Sequence, residues 1–149
     1  MIYVSFGTTT ALEDKQIKEL AIGLEKSGQK FIWVLRDADK GDIFINGELR
    51  KAEILNGFEE RVKDRGMVVT DWAPQLEILS HPSTGGFMSH CGWNSTMESV
   101  FAGVPLLACP IILDQVPITK FVVEDWKIGW KVNRGVGMEN LARGEIAEL

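Results

Sequence analysis

The chain has 149 residues, 45% of them hydrophobic and 25% charged, enough for one domain with its own core. Its net charge of −5 excludes a broad basic surface for nucleic acid, so any anion has to be held locally by backbone amides and a few side chains. Cys91 and Cys109 make neither a disulfide framework nor a paired zinc motif, no run is apolar for long enough to span a membrane, and no signal peptide opens the chain, so a reduced, cytoplasmic protein is expected.

MIYVSFG reads as a buried strand that stops at Gly7. Thr8 to Thr10 lead into ALEDKQIKELAIGLEKSG, where Ile17, Leu20, Ala21 and Leu24 recur at helical spacing and Gly28 is the expected C-cap. KFIWVLR is the second strand, and the polar segment from Asp37 to Asn56 reads as a surface loop. GFEERVKD is a short helix, GMVVTDW a third strand, and PQLEILSH a helix with Pro74 near its first turn. TGGFMSH is the fourth strand, NSTMESVFAG a helix ended by Gly103, and VPLLACP the fifth strand. QVPITKFVVEDW is helical with Pro117 in the first turn, IGWKV is a sixth strand, and MENLARGEIAEL begins a last helix. Strands that are continuous apolar runs, alternating with helices, predict an α/β fold: a Rossmann-like parallel sheet with helices on both faces. Ligands in such sheets sit at the carboxyl ends of the strands. Gly7-Thr8, Asp71-Trp72, Ser89-His90 and Pro110 all fall at those ends.

Each polar group there has two readings. SHCGWNSTME places a turn at Gly92 and a helix start near Ser95, where free N–H groups and the helix dipole attract phosphate, with His90, Asn94 and Ser95 adding side-chain donors. The rival reading is a capping box, Ser95-x-x-Glu98. Thr8 is either an anion contact or the N-cap of the first helix, its commoner use. Trp72 offers an indole to stack on a flat base, or fills the core, where Trp33 and Trp130 are expected. Gln75 reads a hydroxyl or base edge, or faces solvent. Glu98 can accept two vicinal ribose hydroxyls. Asp114 and Gln115 offer acceptors and donors suited to a polyhydroxylated sugar, or a helix N-cap. His81 closes its short helix. No His and Cys stand at metal-ligand spacing, no Ser, His and Asp set suggests a hydrolase triad, and GGFMSHCGWN lacks the glycine pattern of a nicotinamide-binding turn. As a catalytic base His90 is poorly placed, because the helix dipole opposes added positive charge.

From Trp72 to Gln115 the chain resembles the signature box of plant family-1 UDP-glycosyltransferases, without a gap: WAPQ, HCGWNS, the following Glu, GVP and the closing DQ stand in register. VSFGTTTALEDKQIKELAIGLEKSGQKFIWVLRDADKGDIF and GFEERVKDRGMVV are similar to zeatin O-glucosyltransferases, whereas FVVEDWKIGWKV is more like other plant glucosyltransferases. The resemblance implies the C-terminal, donor-binding lobe of the two-lobed GT-B fold over residues 1–149. It implies that Trp72 stacks on uracil with Ala73 pairing its edge, and that Gln75 and Glu98 hold the ribose. Thr8, His90, Asn94 and Ser95 would contact the diphosphate, and Trp93, Asp114 and Gln115 would face the sugar. Trp93 together with Gln115 implies UDP-glucose as donor, with neither metal nor other cofactor. The family's general base and most of its acceptor pocket belong to the N-terminal lobe, which this chain lacks, so the chain is expected to be a donor domain whose partner is that lobe and whose catalytic residues lie outside it. A chain serving alone as a non-catalytic UDP-sugar-binding or interaction module is the alternative.

Overall fold

A computed structural model describes residues 1–8, 12–36, 55–112 and 114–132. Most of the expected loop from Asp37 and the expected last helix, MENLARGEIAEL, lie outside the described residues. Among the described residues six strands follow in chain order, β1 (Ile2–Ser5), β2 (Phe31–Val34), β3 (Gly66–Val69), β4 (Gly86–Ser89), β5 (Leu106–Ala108) and β6 (Gly129–Lys131). The helices between them are α1 (Asp14–Ser27), α2 (Phe58–Val62), α3 (Gln75–Ser80), α4 (Trp93–Ala102) and α5 (Gln115–Lys120), the last running into a π-helical turn, Phe121–Asp125.

All pairings are parallel, in the order β3-β2-β1-β4-β5-β6. This is the doubly wound arrangement, and the order reverses between β1 and β4. Side chains alternate strictly across the sheet. Ile2, Val4, Phe31, Trp33, Met88 and Leu107 enter one buried layer with Ile17, Leu20 and Leu24 of α1 and Phe58 and Val62 of α2. Tyr3, Phe87 and Leu106 enter the other with Leu79 of α3 and Val122. Both faces are therefore covered, which is why the central strands read as continuous apolar runs.

Local signals place the elements. Gly28 and Gly103 end α1 and α4 in the left-handed conformation, at φ 67° and 69°. Arg65 donates to the carbonyls of Leu24 and Glu25 at 3.1 and 2.6 Å, satisfying the end of α1 from across the sheet edge. Trp33 is fully buried, edge-on to Phe58 at 6.1 Å between centroids. Trp130, expected in the core, is instead 48% exposed. It sits on β6, an edge strand of the sheet, at the register position opposite Leu107, where the described residues leave its indole half open to solvent.

Candidate functional site

The carboxyl ends of the strands open into a cleft of about 700 Å³. Thr8, Trp72, Ala73, Gln75, His90, Trp93, Asn94, Ser95, Glu98, Asp114 and Gln115 all line it. The residues expected to touch a ligand therefore converge on one place, brought there by four different strand exits, those of β1, β3, β4 and β5. The size suits a ligand of a few linked rings and phosphates.

Trp72 projects into this cleft with 81% of its surface exposed, which removes the core reading. Ala73 beside it is buried. Thr8 is exposed and is not the N-cap of α1, because that position belongs to Glu13, whose N–H donates to Gln16 Oε1 at 2.9 Å.

The turn between β4 and α4 differs from the sequence expectation. α4 starts at Trp93 with Gly92 at the N-cap, so Ser95 is the third helical residue and the capping box Ser95-x-x-Glu98 does not form. Glu98 instead accepts from Gln75 Nε2 at 2.6 Å, and the same nitrogen lies 3.1 Å from Ser95 Oγ. The first intrahelical donor is the N–H of Thr96, to Gly92 O at 2.9 Å. The N–H groups of Trp93, Asn94 and Ser95 precede it at the positive end of the helix, and these three residues line the cleft.

The tight turn itself is made by Cys91, in the left-handed region at φ 63°, and not by Gly92, whose φ is an ordinary −63°. Ser89 Oγ accepts the Cys91 N–H at 3.2 Å and helps hold this conformation. Gly92 is needed for space. A Cβ there would stand 2.4 Å from His90 Nε2, and one on Gly7 would stand 2.4 Å from His90 Cε1. The imidazole is thus enclosed between two glycines, 5% exposed, with Nδ1 buried and without a hydrogen-bond partner. Burial holds the His90 pKa below its ordinary value; Asp114 pulls it back up and Arg36 presses it further down. A neutral imidazole beside a helix N-terminus can donate or accept one hydrogen bond without placing a second positive charge on the dipole.

Asp114 occupies the N-cap position of α5 without a side-chain capping bond. Gln115 is 1% exposed, and its Oε1 accepts from the N–H groups of Ile111 and Ile112 at 2.7 and 3.1 Å. Its carbonyl oxygen thus shapes the loop after β5, while the residue also lines the cleft. His81 does close α3: its N–H donates to Ile78 O at 3.3 Å and its Nδ1 accepts from the Ser83 N–H at 3.1 Å.

Arg36, at the exit of β2, also lines the cleft and was not picked out from the sequence. Among the described lining residues it is the one arginine or lysine, set against the carboxylates of Asp71, Glu77, Glu98 and Asp114. The strand-end rule that gathered the other residues would have found it, since it directly follows FIWVL. Among the described residues no group of three or more His, Cys, Asp and Glu side chains could hold a metal ion, and no helix is long and apolar enough to cross a membrane.

The model of the family described as UDP-glucoronosyl and UDP-glucosyl transferase matches residues 1–140. The chain belongs to this family. It is 56% identical over 148 residues to the zeatin O-glucosyltransferase of Phaseolus lunatus, covering 99% of this chain and 32% of that protein. It is 57% identical over 148 residues to the zeatin O-xylosyltransferase of Phaseolus vulgaris, covering 99% of this chain and 33% of the relative. The chain therefore spans about a third of the length of the transferases it matches. Among solved structures, Phytolacca americana UGT2, complexed with UDP-2fluoro-glucose and pterostilbene, superposes with a TM-score of 0.82 at 41% identity, over 95% of this chain and 31% of that one. The fold is thus the Rossmann-like sheet of a UDP-glycosyltransferase.

Proposed function

We propose that the cleft binds a UDP-sugar and that the chain is the donor-binding lobe of an inverting, cytoplasmic UDP-glucosyltransferase acting on a hydroxyl of a small plant metabolite. The observation that carries this is the convergence of an exposed indole, a carboxylate and a helix N-terminus in one cleft: Trp72, Glu98 and the start of α4. Trp72 with Ala73 receives uracil, and Gln75 with Glu98 receives ribose. The free amides of α4, with Thr8, His90, Asn94 and Ser95, receive the diphosphate. Trp93, Asp114 and Gln115 face the sugar. As the bond to the sugar breaks, charge gathers on the departing diphosphate, and preorganised donors at α4 stabilise it there. The base that deprotonates the acceptor belongs to an N-terminal lobe outside this chain, so no catalytic base is assigned here. A cytokinin such as zeatin is the acceptor suggested by the similarity to zeatin transferases.

Trp93 and Gln115 favour glucose. The two zeatin relatives, one named for glucose and one for xylose, match this chain almost equally, so the donor sugar is the finer point to test. Calorimetric titration with UDP, UDP-glucose, UDP-xylose and UDP-galactose checks the reading. Binding of UDP, with UDP-glucose favoured over the other sugars, is the expected result. A folded chain that binds none of them contradicts it.

One observation favours the second reading, an interaction module. Met97, Val100 and Phe101 expose an apolar stripe along α4, Phe101 at 82%. Concentration-dependent association in sedimentation, with UDP binding but no sugar transfer or hydrolysis, would be its signature.

A further inference from the structure

Gln75 of α3 and Ser95 of α4 lie twenty positions apart and meet through a single nitrogen. Gln75 Nε2 stands 2.6 Å from Glu98 Oε2 and 3.1 Å from Ser95 Oγ. The acceptor carboxylate of Glu98 decides which end of the amide faces it, because a primary amide nitrogen has two hydrogens to give and cannot accept. One hydrogen goes to Glu98 and the other to Ser95. Ser95 Oγ is therefore the acceptor in that bond, and its own O–H is turned elsewhere. Ser95 lies in the first turn of α4, nine-tenths buried, on the wall of the cleft where the N–H groups of Trp93, Asn94 and Ser95 gather.

We propose that Gln75 is a positioning residue that presents the Ser95 hydroxyl proton to the diphosphate, so that the ribose-side pair Gln75–Glu98 and the phosphate-side serine act as one unit. This rests on the UDP-sugar reading of the cleft. Gln75 Nε2 is the donor in both bonds, to Glu98 and to Ser95. Glu98 keeps the amide nitrogen turned toward the serine, and the nitrogen occupies a serine lone pair. Without that donor the serine can rotate its hydroxyl toward a backbone carbonyl three or four residues before it, in the turn that leads into α4. It would then offer an anion lone pairs in place of a proton. A ligand with ribose but no phosphate has nothing to receive from that proton.

A double-mutant cycle of Gln75→Met, Ser95→Ala and both together, titrated with UDP and with uridine, tests this, with thermal melting to confirm that each variant folds. Ser95→Ala is expected to weaken UDP binding about tenfold in the wild-type background and less than about threefold with Gln75→Met, while uridine shows no coupling between the two sites. Gln75→Ala serves in the same cycle if the methionine variant does not fold. An equal effect of Ser95→Ala in both backgrounds overturns the proposal, and so does coupling of equal size with uridine, which would mark a packing effect. Failure of the wider reading looks different: a folded wild-type chain would then bind neither ligand.

Discussion

Gly92 and His90 are in contact in a way that no larger residue at position 92 would allow: a Cβ there would approach His90 Nε2 to 2.4 Å. Gly92 has an unstrained φ of −63°, so alanine at this position meets the imidazole without a backbone penalty of its own. Gly92→Ala is therefore expected to destabilise the chain by about 1–3 kcal/mol through overpacking and to weaken UDP binding. In a His90→Ala background the stability loss should largely vanish. Urea denaturation of the four proteins of this cycle measures it; an undiminished loss would place the cause in the backbone.

The buried imidazole makes stability depend on pH. Its folded pKa lies below the ordinary value of about 6.5, so between the two values the unfolded chain holds more protons than the folded one. The contribution of His90 is then complete above about pH 6.5, falls as the pH drops below it, and levels off once the folded imidazole also protonates. The difference in unfolding free energy between wild type and His90→Asn, followed from neutral to acid pH, should trace this fall. A difference that does not change with pH contradicts it.

Arg36 is the one arginine or lysine among the described residues that line the cleft, so on the proposed reading a diphosphate there has a cation to meet that an uncharged nucleoside does not use. Arg36→Met is expected to weaken UDP binding by about tenfold and uridine binding hardly at all, with a shallower salt dependence for UDP. Titrations of both ligands at two salt concentrations decide this, and equal losses would make Arg36 a structural residue.

Trp72 contributes almost nothing to the core, since 81% of its surface is exposed. Trp72→Ala should leave unfolding free energy within about 0.5 kcal/mol of wild type. It should weaken uridine and UDP by a similar factor of about ten, because stacking acts on the base common to both. A loss confined to UDP would argue against a uracil platform.

Much of this protein was legible in the sequence because its signals are local. Helical spacing of Ile17, Leu20, Ala21 and Leu24 foretold the buried face of α1, and Gly28 and Gly103 marked helix ends through a conformation that glycine adopts freely. The strand-end rule gathered the cleft residues, because in a parallel sheet all strand exits point the same way. Other features were illegible for an equally physical reason. Whether Trp130 is covered depends on its strand lying at the sheet edge, and strand order is not written in the composition of β6.

The sequence by itself determined the alternation of strands and helices, the family signature from Trp72 to Gln115, and the set of groups available to a ligand. Only the tertiary structure decided how those groups are engaged. It moved the start of α4 to Trp93, removed the rival capping-box reading of Ser95 and Glu98 while pairing Glu98 with Gln75, and assigned Gly92 to make room for His90. The division follows from range: propensity and periodicity act within a few residues along the chain, whereas hydrogen-bond direction and excluded volume between α3, α4 and the exit of β1 exist only once the sheet has set those elements side by side.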